Sequence, residues 1–286
     1  AEAPAFQLLT WVFQVMPIFF MVGGYSNAAS WDAAVRAGKG YGNWLRSRCQ
    51  RLLGPTAIFA LAWVPITLLA QRLVASPETL ALMGGVVTVP LWFLAVYVAV
   101  IPVAPVMLYL HRRYGLAVPM VLTLAVAVLD IIDMHVFPPH EKFDITIAWA
   151  NYGLVWLAVH QIGFFWREGK LETSPRTKVW LILAGLGGLI ALTASGLYPL
   201  SMIGVPGTVR TNNTPPTVVL ILLAIFQMGL ILASSRWARN RLENIDLWAR
   251  TVIANSMIMT NLTSRLACQN KSIKDNSVST LCNPLL

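Results

Sequence analysis

From Leu80 to Leu110 the chain runs thirty-one residues without a charged side chain, and six other stretches are nearly as apolar. About 20 such residues, rising 1.5 Å each, cross the ~30 Å hydrocarbon layer of a bilayer. Blocks of this length, lacking the periodic stripe of a surface helix, read as membrane-spanning helices. The composition agrees. Charged residues are 12% of the chain and hydrophobic residues 57%, where a soluble domain carries roughly a quarter of its residues charged. The fold expected is all-α, a polytopic transmembrane helix bundle.

Seven spans can be placed in order. The first is 6–25, interrupted by Pro17, with the polar Gln14 near its middle. The second is 52–70, opened by Pro55 and kinked by Pro65. The third is 91–110, with 80–89 as an interfacial or re-entrant piece ahead of Pro90. The fourth, 116–132, ends at Asp130 and Asp133, and the fifth, 145–165, contains Asn151, His160 and Gln161. The sixth, 179–197, carries Gly185, Gly187, Gly188 and Gly196, which allow close helix approach. The seventh, 217–233, follows the turn Asn212-Asn-Thr-Pro-Pro216. Residues 248–259 resemble the approach to a further span. Residues 1–260 thus form one membrane domain, and the polar, Ser/Asn-rich 261–286 reads as a disordered tail.

Loop charge sets the orientation, because Lys and Arg collect on the cytoplasmic side. Loops after spans one, three, five and seven hold fifteen basic residues, and the loops after two, four and six hold only Arg72, Lys142 and Arg210. That alternation places the N-terminus outside and the C-terminus in the cytoplasm. It also accounts for the net charge of +9 without a nucleic-acid partner. Cys49, Cys268 and Cys282 show no metal-ligand or disulfide spacing. The opening Ala1-Glu-Ala-Pro4 has no basic n-region, so the first block is not a signal peptide, and the chain is expected to begin inside a longer protein.

Few residues carry chemistry. Arg48 and Arg51 stand three apart on a helix leading into span two, with Trp44 and Pro55 on the same stripe. Stacked guanidinium groups can bind phosphate bidentately, or they can anchor the helix to anionic lipid headgroups. His160, with Gln161 beside it, is an ionisable group inside a span, a functional candidate by position and a possible general base. It reads equally as a neutral histidine bonded to a neighbouring helix. Asp130 and Asp133, followed by His135, His140, Glu141 and Asp144, lack the spacing of a metal site; no metal is expected. They fit an outward-facing polar vestibule, which Asn151 and Gln161 would extend, or simply sit in water. The many aromatics fit an interfacial belt near span ends, such as Trp149 and Trp166, and packing within spans.

Several of these stretches together resemble the bacterial acyltransferase-3 membrane family, over about residues 5–259. They are Met16-Pro-Ile-Phe-Phe-Met-Val-Gly-Gly-Tyr25, Trp44-Leu-Arg-x-Arg-x-x-Arg-Leu-Leu-x-Pro55 and Pro90-Leu-Trp-Phe-Leu-Ala-Val-Tyr97. Asn151-Tyr-x-x-Val-Trp, His160-Gln-x-Gly-Phe-Phe-Trp-Arg-Glu-Gly169 and Asn212-Asn-Thr-Pro-Pro216 complete the set. The resemblance implies a bundle of about ten helices that moves an acyl group from cytoplasmic acyl-CoA to a hydroxyl of a glycan, lipid or small molecule. It implies an Arg-x-x-Arg pair in the first long cytoplasmic loop, which Arg48 and Arg51 match. It also implies an arginine and a histidine eleven apart on the family's first helix, a pair absent here and expected upstream of Ala1; the C-terminal helices are likewise expected beyond this chain.

The expectation is a multi-pass O-acyltransferase of the bacterial plasma membrane, with acyl-CoA as co-substrate and no permanently bound cofactor. Arg48, Arg51 and Trp44 would contact the donor. The catalytic histidine would lie upstream, with His160, Asp130 and Asp133 as weaker candidates. The alternative is a transporter, which would also place prolines, glycines and buried polar residues inside its spans, although no internal repeat relates spans one to three with four to seven.

Overall fold

The computed structural model describes residues 4–73, 92–136, 147–172, 174–204 and 211–243, and among them every regular element is helical. The expected interfacial piece at 80–89, the residues His140, Glu141 and Asp144, the block 248–259 and the tail 261–286 lie outside the described residues. Ala1–Ala233 forms one compact unit and Ser234–Leu286 a second, of which the structure describes only the helical residues 234–243.

The first apolar block folds as α1, Pro4–Phe13, and α2, Met16–Arg36. The break falls just ahead of Pro17, which has no N–H to give and crowds the preceding turn, and so sits in the first turn of a new helix. α2 does not stop at Tyr25, where the apolar run ends. Nothing in Ser26-Asn-Ala-Ala-Ser30 breaks a helix, and the stop comes at Gly38. There a positive φ of 65° lets the N–H groups of Gly38 and Lys39 turn back to the carbonyls of Val35 and Ala34.

α3, Tyr41–Leu73, is one helix of 33 residues, about 50 Å long. The basic cluster therefore rides on its first half, and the helix runs on through Pro55 and Pro65. α4, Trp92–Tyr114, tightens to a 3₁₀ turn at Ile101–Val103, where Pro102 and Pro105 interrupt the ladder. After Gly115 comes α5, Ala117–Val136. A 3₁₀ turn, Ile147–Ala150, leads into α6, Asn151–Arg167. α7, Pro175–Ala194, is capped by the Ser174 hydroxyl accepting from the Arg176 N–H at 3.2 Å. α8 is Val218–Glu243.

Among the described residues, five helical stretches are long and apolar enough to cross a membrane: Gln7–Arg36, Trp92–Tyr114, Ala117–His135, Pro175–Ala194 and Val218–Ser235. The other two expected spans fall on the second half of α3 and on α6, which has only 17 residues. Long apolar side chains on α5 and α7, among them Met120, Leu124 and Trp180, are exposed. That is the surface a bilayer would cover.

The core forms where α2 lies against α6. A Cβ on Gly24 would collide with the His160 carbonyl, and one on Gly163 with the Met21 carbonyl, so the two backbones are in direct contact. On the same seam Phe20 stacks on Trp156 with ring centroids 4.4 Å apart. In α7, Gly185 and Gly188 face α8 as close approach requires, whereas Gly187 meets nothing and Gly196 sits in the following turn with a positive φ.

Candidate functional site at one end of the bundle

Backbone contact between α2 and α6 determines which polar side chains meet. Asn27 lies one turn beyond Gly23, and His160 one turn before Gly163 and Phe164, so both are carried onto the seam and both are fully buried. The Asn27 amide nitrogen stands 3.0 Å from Nε2 of His160. α3 docks across this pair through Trp44, whose indole N–H donates to the Ser30 hydroxyl at 3.1 Å and whose ring meets Trp31 edge-on at 5.3 Å. One turn along the same stripe, the Arg48 guanidinium donates to the Asn27 side-chain oxygen and, at 3.1 Å, to the Ser26 hydroxyl. Tyr97 of α4 brings its phenol to the same Arg48 and Asn27. Its ring fills the space that Gly23 leaves, since a Cβ there would lie 2.5 Å from Tyr97 Cε2.

Of the expected donor contacts, then, Trp44 is buried as a clamp between α3 and α2, Arg48 is half-buried at the head of a polar chain, and Arg51 is exposed. His160 sits in the same chain as Arg48, joined to it through Asn27. Its Nδ1 is buried and, among the described residues, has no hydrogen-bond partner, a cost of about 1–3 kcal/mol for a group of this kind.

A second cluster adjoins the first. Asp32, the one acid of the first loop, accepts from Arg112 of α4 at 2.7 and 2.9 Å and pairs with Arg167 of α6 at 2.7 Å. Buried His111 faces Gln161 through Nδ1 at 2.9 Å and Glu168 through Nε2 at 3.3 Å. Lys170 approaches Glu168 at 2.6 Å. Partial burial alone would raise the Glu168 pKa, but the hydrogen bonds and charges of Lys170 and His111 outweigh it and hold the carboxyl below its ordinary range. A cleft of about 390 Å³ opens beside them, lined by Val22, Tyr25, Trp166, Arg167, Gly169 and Glu172.

The opposite end of the bundle is organised by Asp130. This buried carboxylate accepts from Asn151 at 2.7 Å, from the Tyr198 hydroxyl at 3.0 Å and from the Val218 N–H that opens α8 at 2.9 Å. Burial, and then the Asp130 charge, push the Tyr198 phenol well above its usual pKa, so it stays a donor. Asn212 donates to the carbonyls of Pro199 and Ser201 at 2.7 and 2.9 Å, closing the same loop. Asp130 and Asn151 thus meet in a clasp between helices, while Gln161 lies at the other end with His111. Among the described residues, no three His, Cys, Asp or Glu side chains converge as metal ligands.

Asn27, Ser26 and His111 were not legible as site residues. Asn27 stands in a stretch that reads as loop, and the one available signal was its spacing, four residues past Gly23 with no helix stop before Gly38.

A family model described as an acyltransferase domain, of the acyltransferase-3 type, matches residues 2–259. No curated protein matches the chain, and neither does any solved structure.

Proposed function

The chain belongs to the acyltransferase-3 family, and from that membership we propose that it is a multi-pass enzyme moving an acyl group from acyl-CoA to a hydroxyl of a glycan, lipid or small molecule. Membership favours this over a transporter. The observation that carries the donor side is the position of Arg48. Its guanidinium is half-buried at the end of the bundle where the basic residues gather, one turn beyond the Trp44 clamp, with exposed Arg51 a turn further on. Planar guanidinium groups at a membrane surface suit the phosphates of coenzyme A. In the reaction the hydroxyl oxygen attacks the thioester carbonyl, the carbon–sulfur bond breaks, and the hydroxyl proton passes through a general base to the leaving thiolate.

We place this end in the cytoplasm of a plasma-membrane protein crossing seven times, N-terminus outside. The fifteen-to-three distribution of loop cations supports it. So does the meeting of Asp32, Arg112 and Arg167, which lie in the loops that follow the expected first, third and fifth spans. Asp130 is not assigned as the base, because three donors already hold it.

Calorimetric titration with coenzyme A tests the donor side. Replacing Arg48 and Arg51 together by Ala removes two charge-assisted contacts at about 1.5–3 kcal/mol each, so binding weakens at least tenfold while membrane insertion is unchanged. Equal binding by the double variant would remove the phosphate role.

A further inference from the structure

Arginine has no acceptor, so the amide atom of Asn27 that meets Arg48 is its oxygen, Oδ1. The amide nitrogen is thereby turned toward His160, 3.0 Å from Nε2. An amide nitrogen only donates, so Nε2 must present its lone pair, and the proton of a neutral imidazole sits on Nδ1. That Nδ1 is fully buried and, among the described residues, without a hydrogen-bond partner. The arrangement leaves a donor in the bundle interior unsatisfied, and it follows from which atom of Asn27 the guanidinium engages.

We infer that Asn27 is a positioning residue that couples Arg48 at the bundle end to the proton position on His160, and that a phosphate-bearing donor breaks this coupling by drawing Arg48 away. The second half rests on the reading of Arg48 as a phosphate contact. Once the guanidinium leaves Oδ1, the Asn27 amide can turn over and present its oxygen to Nε2. The imidazole then carries its proton on Nε2, and Nδ1 becomes an acceptor. No proton is gained or lost, because the ring stays neutral and only the protonated nitrogen changes. Donor binding thus prepares, one helix further in, an atom able to accept a hydrogen bond from a hydroxyl.

The test is nitrogen NMR of the full chain in lipid nanodiscs, with ring-labelled histidine and the His160 signals assigned by their loss in His160→Gln. Free protein is expected in the Nδ1–H form. Arg48→Met shifts it to the Nε2–H form without any ligand, and Arg48→Lys, still a pure donor, restores the Nδ1–H form. Saturating coenzyme A shifts the wild-type chain as Arg48→Met does, while Asn27→Leu binds coenzyme A with His160 unresponsive. Free protein in the Nε2–H form, or an identical spectrum for Arg48→Met, overturns the coupling. Calorimetry on the same samples separates the two claims. If coenzyme A binds the wild type and Arg48→Met equally, the phosphate reading and the release step fall, and the ligand-free comparison still decides the relay.

Discussion

The side-chain amide of Asn27 meets Nε2 of His160 at 3.0 Å across the α2–α6 seam. Through that one contact a half-buried arginine at the bundle end is tied to a histidine that water does not reach. The contact exists because Gly24 and Gly163 let the two backbones touch, so helix packing and site geometry stand or fall together.

Gly163→Val is therefore expected to damage both. Its side chain would enter the space of the Met21 carbonyl, and overpacking of this kind costs about 1–3 kcal/mol. Thermal unfolding in detergent should show a lower Tm. Gly153→Ala, at a position where an added Cβ meets nothing within 4 Å, should leave the Tm unchanged or slightly raised.

The Asp130 clasp makes a different prediction. Asp130→Ala leaves the buried Val218 N–H and Asn151 without their acceptor and should cost about 3 kcal/mol or more, whereas Tyr198→Phe removes a single hydrogen bond and should cost about 1 kcal/mol. The ranking is read from unfolding midpoints. Equal midpoints for Asp130→Ala and the wild type would show that the clasp does not hold the helices.

Glu168 gives a pH dependence of known sign. Its folded pKa lies below the ordinary 4.5, so the stability it contributes is present above that value and is lost as pH falls through the folded pKa. Glu168→Gln should be less stable than the wild type at pH 7, and the two should converge in unfolding midpoint as pH drops below about 4.5. A gap that stays constant on acidification would contradict the assignment.

The all-helical membrane architecture was legible because apolar blocks leave the chain little choice. Two things were not. The end of α2 was hidden because Ser26 to Ser30 looks like loop by polarity, while helix stops are decided by a left-handed position such as Gly38. The partnership of Asn27, Arg48 and His160 was hidden because it joins three helices far apart in sequence. Asp130 shows the same limit. By sequence it faces a vestibule, yet three donors from other parts of the chain enclose it.

The central claim is tested most directly by acyl transfer. Membranes containing the full-length gene product are incubated with radiolabelled acetyl-CoA, and label is followed into hydroxyl-bearing glycan and lipid fractions. The account predicts transfer that depends on the protein and drops at least tenfold when Arg48 and Arg51 are both replaced by Ala. Membranes that transfer no label, or a double variant that transfers it at the wild-type rate, would contradict it.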